Sequence, residues 1–167
     1  MSKKIKKIAV LTSGGDSPGM NAAVRSVVRT CAYHNIECLG VYRGYEGLID
    51  SDFEPMNARS VRDIINRGGT ILKSARSKRF MTPEGRKVAH DNLVREGVDA
   101  MVLIGGDGND LLTGGLGNDQ LTGGAGRDKF CINTGAGRDV ITDYNSGEDK
   151  IKLLGGLTES DLTVNQF

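Results

Sequence analysis

A nine-residue repeat constrains the second half of the chain more than any other feature. From Gly105 the sequence reads GGDGNDLLT, then GGLGNDQLT and GGAGRDKFC, so three consecutive copies share the pattern GGxGxDxUx, where U is apolar. The apolar positions are Leu112, Leu121 and Phe130, and the aspartates are Asp110, Asp119 and Asp128. A flexible glycine-rich linker would not keep this spacing, so we expect an ordered array of turns and short strands.

The repeat continues in a degenerate form. A fourth copy, TGAGRDVIT, begins at Thr134 instead of residue 132, so its register slips by two residues and its aspartate is Asp139. The segment DYNSGEDKIKL follows from Asp143. Leucines after Lys150 are candidates for capping the array: Leu153, Leu154 and Leu157.

The turn residues of the repeat are suited to calcium. Each turn offers one carboxylate and backbone carbonyls that glycine leaves unobstructed, whereas Ca²⁺ takes about six to eight oxygen ligands, so two turns must share one ion. The pattern resembles the RTX family of hemolysin-type calcium-binding repeats. That resemblance implies a right-handed parallel β-roll with calcium between turns n and n+2, which pairs Asp110 with Asp128 and Asp119 with Asp139.

Charge divides the chain at the start of the repeats. Residues 1–104 carry 17 Lys and Arg against 11 Asp and Glu, a net charge of +6, whereas residues 105–167 carry 5 against 10, a net charge of −5. We therefore expect two units, 1–104 and 105–167. The first has cations available to phosphates, and the second has carboxylates available to calcium.

The first unit shows alternating strand and helix patterns. Strands are predicted at Lys7–Thr12, Glu37–Tyr42 and Asp99–Ile104, and the last is a continuous apolar run typical of a strand buried in a parallel sheet. Helices are predicted from Met20 to about Cys31, at Ser60–Arg67 and at Pro83–Glu96. The fold class expected for the whole chain is α/β, a partial parallel sheet followed by a β-roll.

Glycine-rich loops follow two of these strands. GGDSPGMN after the first strand and GGDG after the third lie where open α/β sheets bind ligands, at the carboxyl ends of strands. Glycine lets backbone N–H groups approach a phosphate, and the helix that follows adds its positive dipole end. A tight strand-to-helix turn without a ligand explains GGDSPGMN equally well. A second loop, Gly68–Thr70 with Arg76 nearby, and a carboxylate at Asp107 favour a nucleotide-triphosphate site with Mg²⁺.

Residues 4–108 resemble ATP-dependent 6-phosphofructokinase. The resemblance is carried by KKIAVLTSGGDSPGMNAAVRSVVR, GYEGL, INRGGTILKSAR and VLIGGDG in this order and spacing. It implies that Gly15 and Arg76 contact the phosphates of ATP and that Asp107, within Gly106–Gly108, helps to hold the Mg²⁺ of the nucleotide. It also implies that Arg25 and Arg29 belong to an effector site at a subunit interface, although two arginines one turn apart also fit a solvated helix face.

The resemblance stops at residue 109. In the family a serine and a helix follow GGDG, and a Thr-Ile-Asp-Asn-Asp loop about twenty residues later supplies the general base, whereas Asn109 stands here and no such loop occurs in the sequence. The sugar-phosphate arginines are missing too. Phosphoryl transfer needs an aligned nucleophile as well as a bound nucleotide, so we expect no turnover.

Two functions follow from these patterns. The first is a calcium-binding β-roll joined to a catalytically incomplete ATP-binding fragment, and the alternative is an active ATP-dependent 6-phosphofructokinase. Gly105–Gly108 belongs to both patterns, and because the residues after it follow the repeat, Asp110 is the stronger metal-ligand candidate and Asp107 the weaker. The expected ligands are Ca²⁺ and ATP or ADP with Mg²⁺.

Other classes are disfavoured. No apolar run approaches the roughly 18 residues of a membrane span, and the amino-terminal residues do not form a secretory signal. We expect a cytoplasmic protein by default, with secretion as the alternative if the carboxyl-terminal end carries an RTX-type export signal. No nucleic acid is expected as a partner, and we expect the native family oligomer to be lost. The spacing of Cys31, Cys38 and Cys131 predicts buried thiols, not a disulfide framework or zinc site.

Overall fold

A computed structural model describes residues 5–163 of the chain. Helices and strands alternate in the first part of the chain, and short strands follow in the second. In chain order they are β1 (Lys7–Thr12), α1 (Met20–Tyr33), β2 (Glu37–Val41), α2 (Gly44–Asp50), β3 (Phe53–Met56), a 3-10 turn (Arg79–Met81), α3 (Pro83–Arg95), β4 (Ala100–Ile104), β5 (Leu111–Thr113), β6 (Gln120–Thr122), β7 (Lys129–Ile132), β8 (Val140–Ile141), β9 (Lys150–Leu153) and a 3-10 turn (Glu159–Asp161).

One six-stranded sheet runs through the boundary between the two sequence units. Its strand order is β3-β2-β1-β4-β6-β8, and every pairing is parallel except that of β2 with β3. The apolar run of β4 lies between β1 and β6, with Val10 opposite Val102 and Leu103 opposite Leu121. The repeats therefore extend the sheet of the first unit along the edge of β4.

The helices begin and end where the sequence supplies the necessary residues. Helix α1 starts after Gly19, whose φ of 104° requires a residue without a side chain, and it buries Met20, Val24 and Val28 against the sheet. At the start of α3, the Thr82 hydroxyl accepts a hydrogen bond from the Gly85 N–H at 3.1 Å. The buried face of α1 thus covers one side of the sheet.

The repeat strands alternate between two sheets. Strands β6 and β8 extend the large sheet, whereas β5, β7 and β9 form a second, wholly parallel sheet. The apolar repeat positions face inward, and they share one core with residues of α2 and α3. Fully buried members of that core are Leu112, Leu121 and Phe130 from the repeats, packed with Tyr45, Leu48 and Ala89.

The helix predicted at Ser60–Arg67 is wrong. The segment is a series of three-residue turns, in which the N–H groups of Ser60, Arg62 and Arg67 donate to the carbonyls of Asn57, Arg59 and Ile64. Asp63 has a φ of 56°, and one residue in this left-handed region interrupts an α-helix. Its buried side chains, Val61 and Ile64, pack against the α1 side of the sheet without helical structure.

Two short elements were not predicted from sequence patterns. Helix α2 has only seven residues and two glycines, Gly44 and Gly47, which are poor helix formers. Strand β3 contains Pro55, and the structure places this strand at the edge of the sheet, where a missing N–H is tolerated.

The remaining fold predictions are confirmed at the level of the α/β class and the parallel sheet. The predicted strands at the ends of the first unit and the helix after Pro83 are all present. All three cysteines are buried and free. A right-handed winding of the repeats stays a prediction, and the terminal segment 164–167, where an export signal was considered, lies outside the described residues.

The shared core predicts a stability effect. Leu121 is 0% exposed in β6, between β4 and β8, and belongs to the core that the repeats share with α2 and α3, so Leu121→Ala should lower the free energy of unfolding by about 2–5 kcal/mol. Leu116→Ala, at a repeat side chain that is 53% exposed, is the matched control and should change it by less than about 0.5 kcal/mol. Urea unfolding measures both, and equal effects would contradict the shared core.

Candidate functional site

The repeat turns lie at two opposite ends of the strands. Turns 105–110, 123–128 and 143–149 follow β4, β6 and β8, so they lie at the carboxyl end of the large sheet, and we call them the carboxyl-end turns. Turns 114–119 and 133–139 precede β6 and β8, and we call them the amino-end turns. Each set stacks turn on turn because the strands that carry it are neighbours in one sheet.

Aspartates connect the successive turns of each set. In the carboxyl-end turns, the Asp110 N–H donates to Asp128 Oδ1 at 2.9 Å, and the Asp128 N–H donates to Asp149 Oδ1 at 2.9 Å. In the amino-end turns, the Asp119 N–H donates to Asp139 Oδ1 at 3.1 Å. The structure thus brings together the pairs Asp110 with Asp128 and Asp119 with Asp139, although the slipped fourth copy makes the second spacing two residues longer.

Among the described residues, three buried carboxylate oxygens have no hydrogen-bond partner: Glu46 Oε2 on α2 and two oxygens in the repeat turns. The two in the repeat turns are Oδ2 of Asp119 and Oδ2 of Asp128, and both residues are only 2% exposed. Backbone glycine surrounds each oxygen: a Cβ on Gly114 would overlap Asp119 Oδ2, and a Cβ on Gly123 would overlap Asp128 Oδ2. A buried anionic oxygen without a donor is costly unless a cation approaches it, so both positions fit a metal ion with oxygen ligands.

Burial also raises the pKa of these carboxyl groups. Burial raises the pKa of Asp119 to about 7, opposed by the hydrogen bond from the Met101 N–H and reinforced by the charge of Asp139. Burial likewise raises the pKa of Asp139 to about 6, and it raises the pKa of Asp110 and of Asp128. The ionised forms are therefore destabilised until positive charge arrives.

A cation in these turns would depend on backbone oxygens. No three His, Cys, Asp or Glu side chains converge on one point within residues 5–163. The close contacts supply carbonyls instead, since a Cβ on Gly124 would overlap Gly106 O and a Cβ on Gly126 would overlap Gly108 O. Carbonyls plus a carboxylate form the hard oxygen set that Ca²⁺ prefers.

The glycine loop between β1 and α1 lies beside the first carboxyl-end turn. Gly15 would place a Cβ 2.8 Å from Asp107 Oδ1 and 3.0 Å from Asp107 O, and a Cβ on Gly106 would overlap Gly15 O. The Ser74 hydroxyl donates to Gly14 O at 2.9 Å, which connects the loop to the segment that carries Arg76. Gly15, Gly106 and Asp107 are therefore brought together, and their role in phosphate binding stays a prediction.

The remaining predicted residues belong to two groups, Gly108 and Arg76 of the nucleotide site and Arg25 and Arg29 of the effector site. Gly108 is in the left-handed region with a φ of 114°, and both Arg76 and Asp107 are exposed. Arg25 is half-buried and Arg29 is exposed on α1, outside the glycine loop. Asp110 is 9% exposed and faces Gly14, so the two aspartates of one repeat differ in burial.

Sequence reasoning missed two acidic residues at the carboxyl-end turns. Asp149 is 8% exposed and continues the aspartate series, and Asp143 accepts hydrogen bonds from the Gly123 N–H at 2.9 Å and the Gly124 N–H at 2.7 Å. The signal for Asp149 was present, because Asp149-Lys150-Ile151 repeats the order of Asp128-Lys129-Phe130. The insertion before it hid the period.

No helix among the described residues is both long and apolar enough to cross a membrane.

Comparisons with known proteins match the two halves separately. The phosphofructokinase family model matches residues 7–115, and the model of the RTX calcium-binding nonapeptide repeat (4 copies) matches residues 102–130. The chain is 54% identical over 105 residues to ATP-dependent 6-phosphofructokinase 2 of Bacteroides thetaiotaomicron, covering 63% of this chain and 32% of that protein. It is 60% identical over 105 residues to ATP-dependent 6-phosphofructokinase of Paenibacillus macquariensis, covering 63% and 33%.

A solved structure gives the same family. Phosphofructokinase from Saccharomyces cerevisiae superposes with a TM-score of 0.58 at 47% identity, covering 63% of this chain and 14% of that one. The chain spans about a third of the length of the curated relatives that it matches. Over residues 7–115 the chain belongs to the phosphofructokinase family, and from residue 102 that match overlaps an RTX calcium-binding repeat.

Proposed function

We propose that the chain is a calcium-binding repeat module joined to a phosphate-binding fragment of a phosphofructokinase. In this proposal the fragment binds the nucleotide but does not catalyse phosphoryl transfer. The single observation that carries the proposal is the pair of buried, unpartnered oxygens, Asp119 Oδ2 and Asp128 Oδ2, each held against repeat glycine. The same arrangement at both ends of the array supports a repeated ion site.

In this proposal the repeats from residue 105 onward wind as a right-handed parallel β-roll. Two observations support this winding: successive repeat strands alternate between two parallel sheets, and alternate turns stack on one another at the same end of the strands. Asp110 and Asp128 would hold one ion, and Asp119 and Asp139 a second, together with carbonyls of the glycine turns. Calcium would supply the positive charge that the buried carboxylates lack. Asp149 extends the first series and is a candidate for a further site.

Folding of the repeats should then depend on calcium. Carboxylates on neighbouring turns repel one another until a cation neutralises them, so binding and folding are coupled. Calcium modules with few charged ligands fill at about 0.1–1 mM, a concentration found outside cells. We therefore propose that the module is ordered in a calcium-rich compartment.

We expect calcium to increase β structure. Far-ultraviolet circular dichroism at about 1 mM calcium should show more β signal than in its absence, and a chelator should reverse the change. Asp128→Asn should weaken the apparent calcium affinity by about tenfold, because one ionic ligand is lost. Asp63→Asn, at an exposed turn of the first unit, is the control and should leave the affinity unchanged. A spectrum that does not respond to calcium would sink the proposal.

The nucleotide half of the proposal has separate support. Gly15, Gly106 and Asp107 meet at the carboxyl ends of β1 and β4, where α/β sheets bind ligands. The exposed Arg76 lies two residues after Ser74, whose hydroxyl donates a hydrogen bond to the glycine loop. The relatives named ATP-dependent 6-phosphofructokinase point to Mg-ATP as the ligand. The phosphofructokinase match ends at residue 115, and the general-base loop that the resemblance implies does not occur in the sequence, so in this proposal no residue activates a sugar hydroxyl.

We expect Mg-ATP to bind without turnover. Isothermal titration of the calcium-free chain should detect Mg-ATP, and Arg76→Ala should weaken the affinity by about tenfold through loss of a charge-assisted phosphate contact. Arg62→Ala, with a side chain that is 82% exposed, is the control. Steady ADP release with fructose 6-phosphate would instead support the alternative, an active 6-phosphofructokinase.

A further inference from the structure

The glycine loop occupies the position of an additional turn in the carboxyl-end stack. A Cβ on Gly106 would overlap Gly15 O, and in the next layer a Cβ on Gly124 would overlap Gly106 O. The loop, turn 105–110 and turn 123–128 are thus three successive layers with backbone in direct contact. Turn 105–110 is therefore the single layer of backbone between turn 123–128 and the loop.

The backbone groups expected to meet phosphate are already used within this stack. The Gly106 N–H donates to Asp110 Oδ2 at 2.8 Å, and the Gly108 N–H donates to Ala125 O at 2.8 Å. In the other direction the Ala125 N–H donates to Gly106 O at 3.2 Å. With the turns closed, Gly106 and Gly108 have no amide hydrogen left for a phosphate oxygen.

A carboxylate also stands at the mouth of the loop. A Cβ on Gly14 would overlap both carboxylate oxygens of Asp110. A phosphate that approached Gly14 would therefore meet this carboxylate, which takes up space and repels an anion. Asp110 is also the residue whose N–H bonds to Asp128, so its place depends on the closed turns.

We propose that calcium binding at the carboxyl-end turns and polyphosphate binding at the glycine loop exclude each other. This inference rests on the proposed function, since it needs both ligands. With calcium, the turns close and hold Asp110 beside Gly14, with the amides of Gly106 and Gly108 satisfied internally. Without calcium, like charges on Asp110, Asp128 and Asp149 oppose closure, and the opened turn exposes those amides to a nucleotide phosphate.

The amino-end turns provide an internal contrast. Asp119 Oδ1 accepts a hydrogen bond from the Met101 N–H at 2.9 Å, near the opposite end of β4 from the glycine loop. Calcium at Asp119 and Asp139 should therefore stabilise the array without touching the phosphate position. Only calcium bound at the carboxyl-end turns should therefore affect nucleotide binding at the glycine loop.

The test measures the Mg-ATP dissociation constant by isothermal titration, with excess magnesium, in calcium-free buffer and at saturating calcium. Wild-type chain should bind Mg-ATP about tenfold or more weakly with calcium, and saturating Mg-ATP should weaken calcium binding by the same factor, because coupling between two ligands is reciprocal. Equal affinity in both buffers overturns the inference. Absence of Mg-ATP binding in both buffers overturns it too.

Two matched variants locate the coupling. Asp128→Asn, in a carboxyl-end turn, should raise by about tenfold the calcium concentration at which the Mg-ATP affinity falls, whereas Asp119→Asn, the same change in an amino-end turn, should leave that concentration unchanged. A shift in both variants, or in neither, contradicts the assignment to the carboxyl-end turns. The helical circular dichroism signal reports whether each variant is folded. If a variant is unfolded, the Mg-ATP affinities of the wild-type chain with and without calcium decide the inference.

Direct titration with calcium separates this inference from the proposed function. No calcium heat and no calcium-dependent circular dichroism would mean that the repeat module itself fails. Normal calcium binding together with unchanged Mg-ATP affinity would mean that the module is correct and only the mutual exclusion is wrong.

Discussion

The parallel pairing of β4 with β6 is the interaction on which the rest of the structure depends. Without it, β4 would be an open edge of an apolar parallel sheet, which invites aggregation. With it, Leu103 and Leu121 lie opposite each other, and the repeats gain a core shared with α2 and α3. Neither unit needs to bury its apolar surface alone, which matters for a chain with no tryptophan and only eight phenylalanine and tyrosine residues.

That pairing also explains why the carboxylates form two sets. A repeat of about nine residues reverses direction once per copy, so alternate copies return to the same sheet and alternate turns return to the same end. Because β1, the neighbour of β4, carries the glycine loop at its carboxyl end, the first set of turns stacks on that loop and the second set does not. The different surroundings of Asp110 and Asp119 follow from the position of the junction, not from their repeat positions, which are the same.

The sequence predicted those parts whose signal is local. Lys7–Thr12, the α1 face and the three intact repeats are recognisable because period and composition agree over each segment. Ser60–Arg67 failed because its helical spacing of apolar residues reflects burial in irregular turns around Asp63. Asp149 was missed because an insertion breaks the nine-residue period before it. In the folded chain Asp149 still accepts a hydrogen bond from the Asp128 N–H, as Asp128 does from Asp110. The contact of Asp110 with Gly14 joins residues 96 positions apart and has no local signal.

The tetrapeptide Gly105–Gly108 satisfies two patterns because both demand the same backbone property. A phosphate loop and a calcium turn each need chain that other atoms can approach closely, and glycine provides this in either case. The two patterns differ in what approaches: an outside anion in one, and the carbonyls of the next turn in the other. In this structure the next turn has approached, Asp107 is exposed and Asp110 is buried. The same glycines that suit a phosphate loop thus also suit the repeat, and under the proposed mutual exclusion calcium in the carboxyl-end turns decides between the two uses.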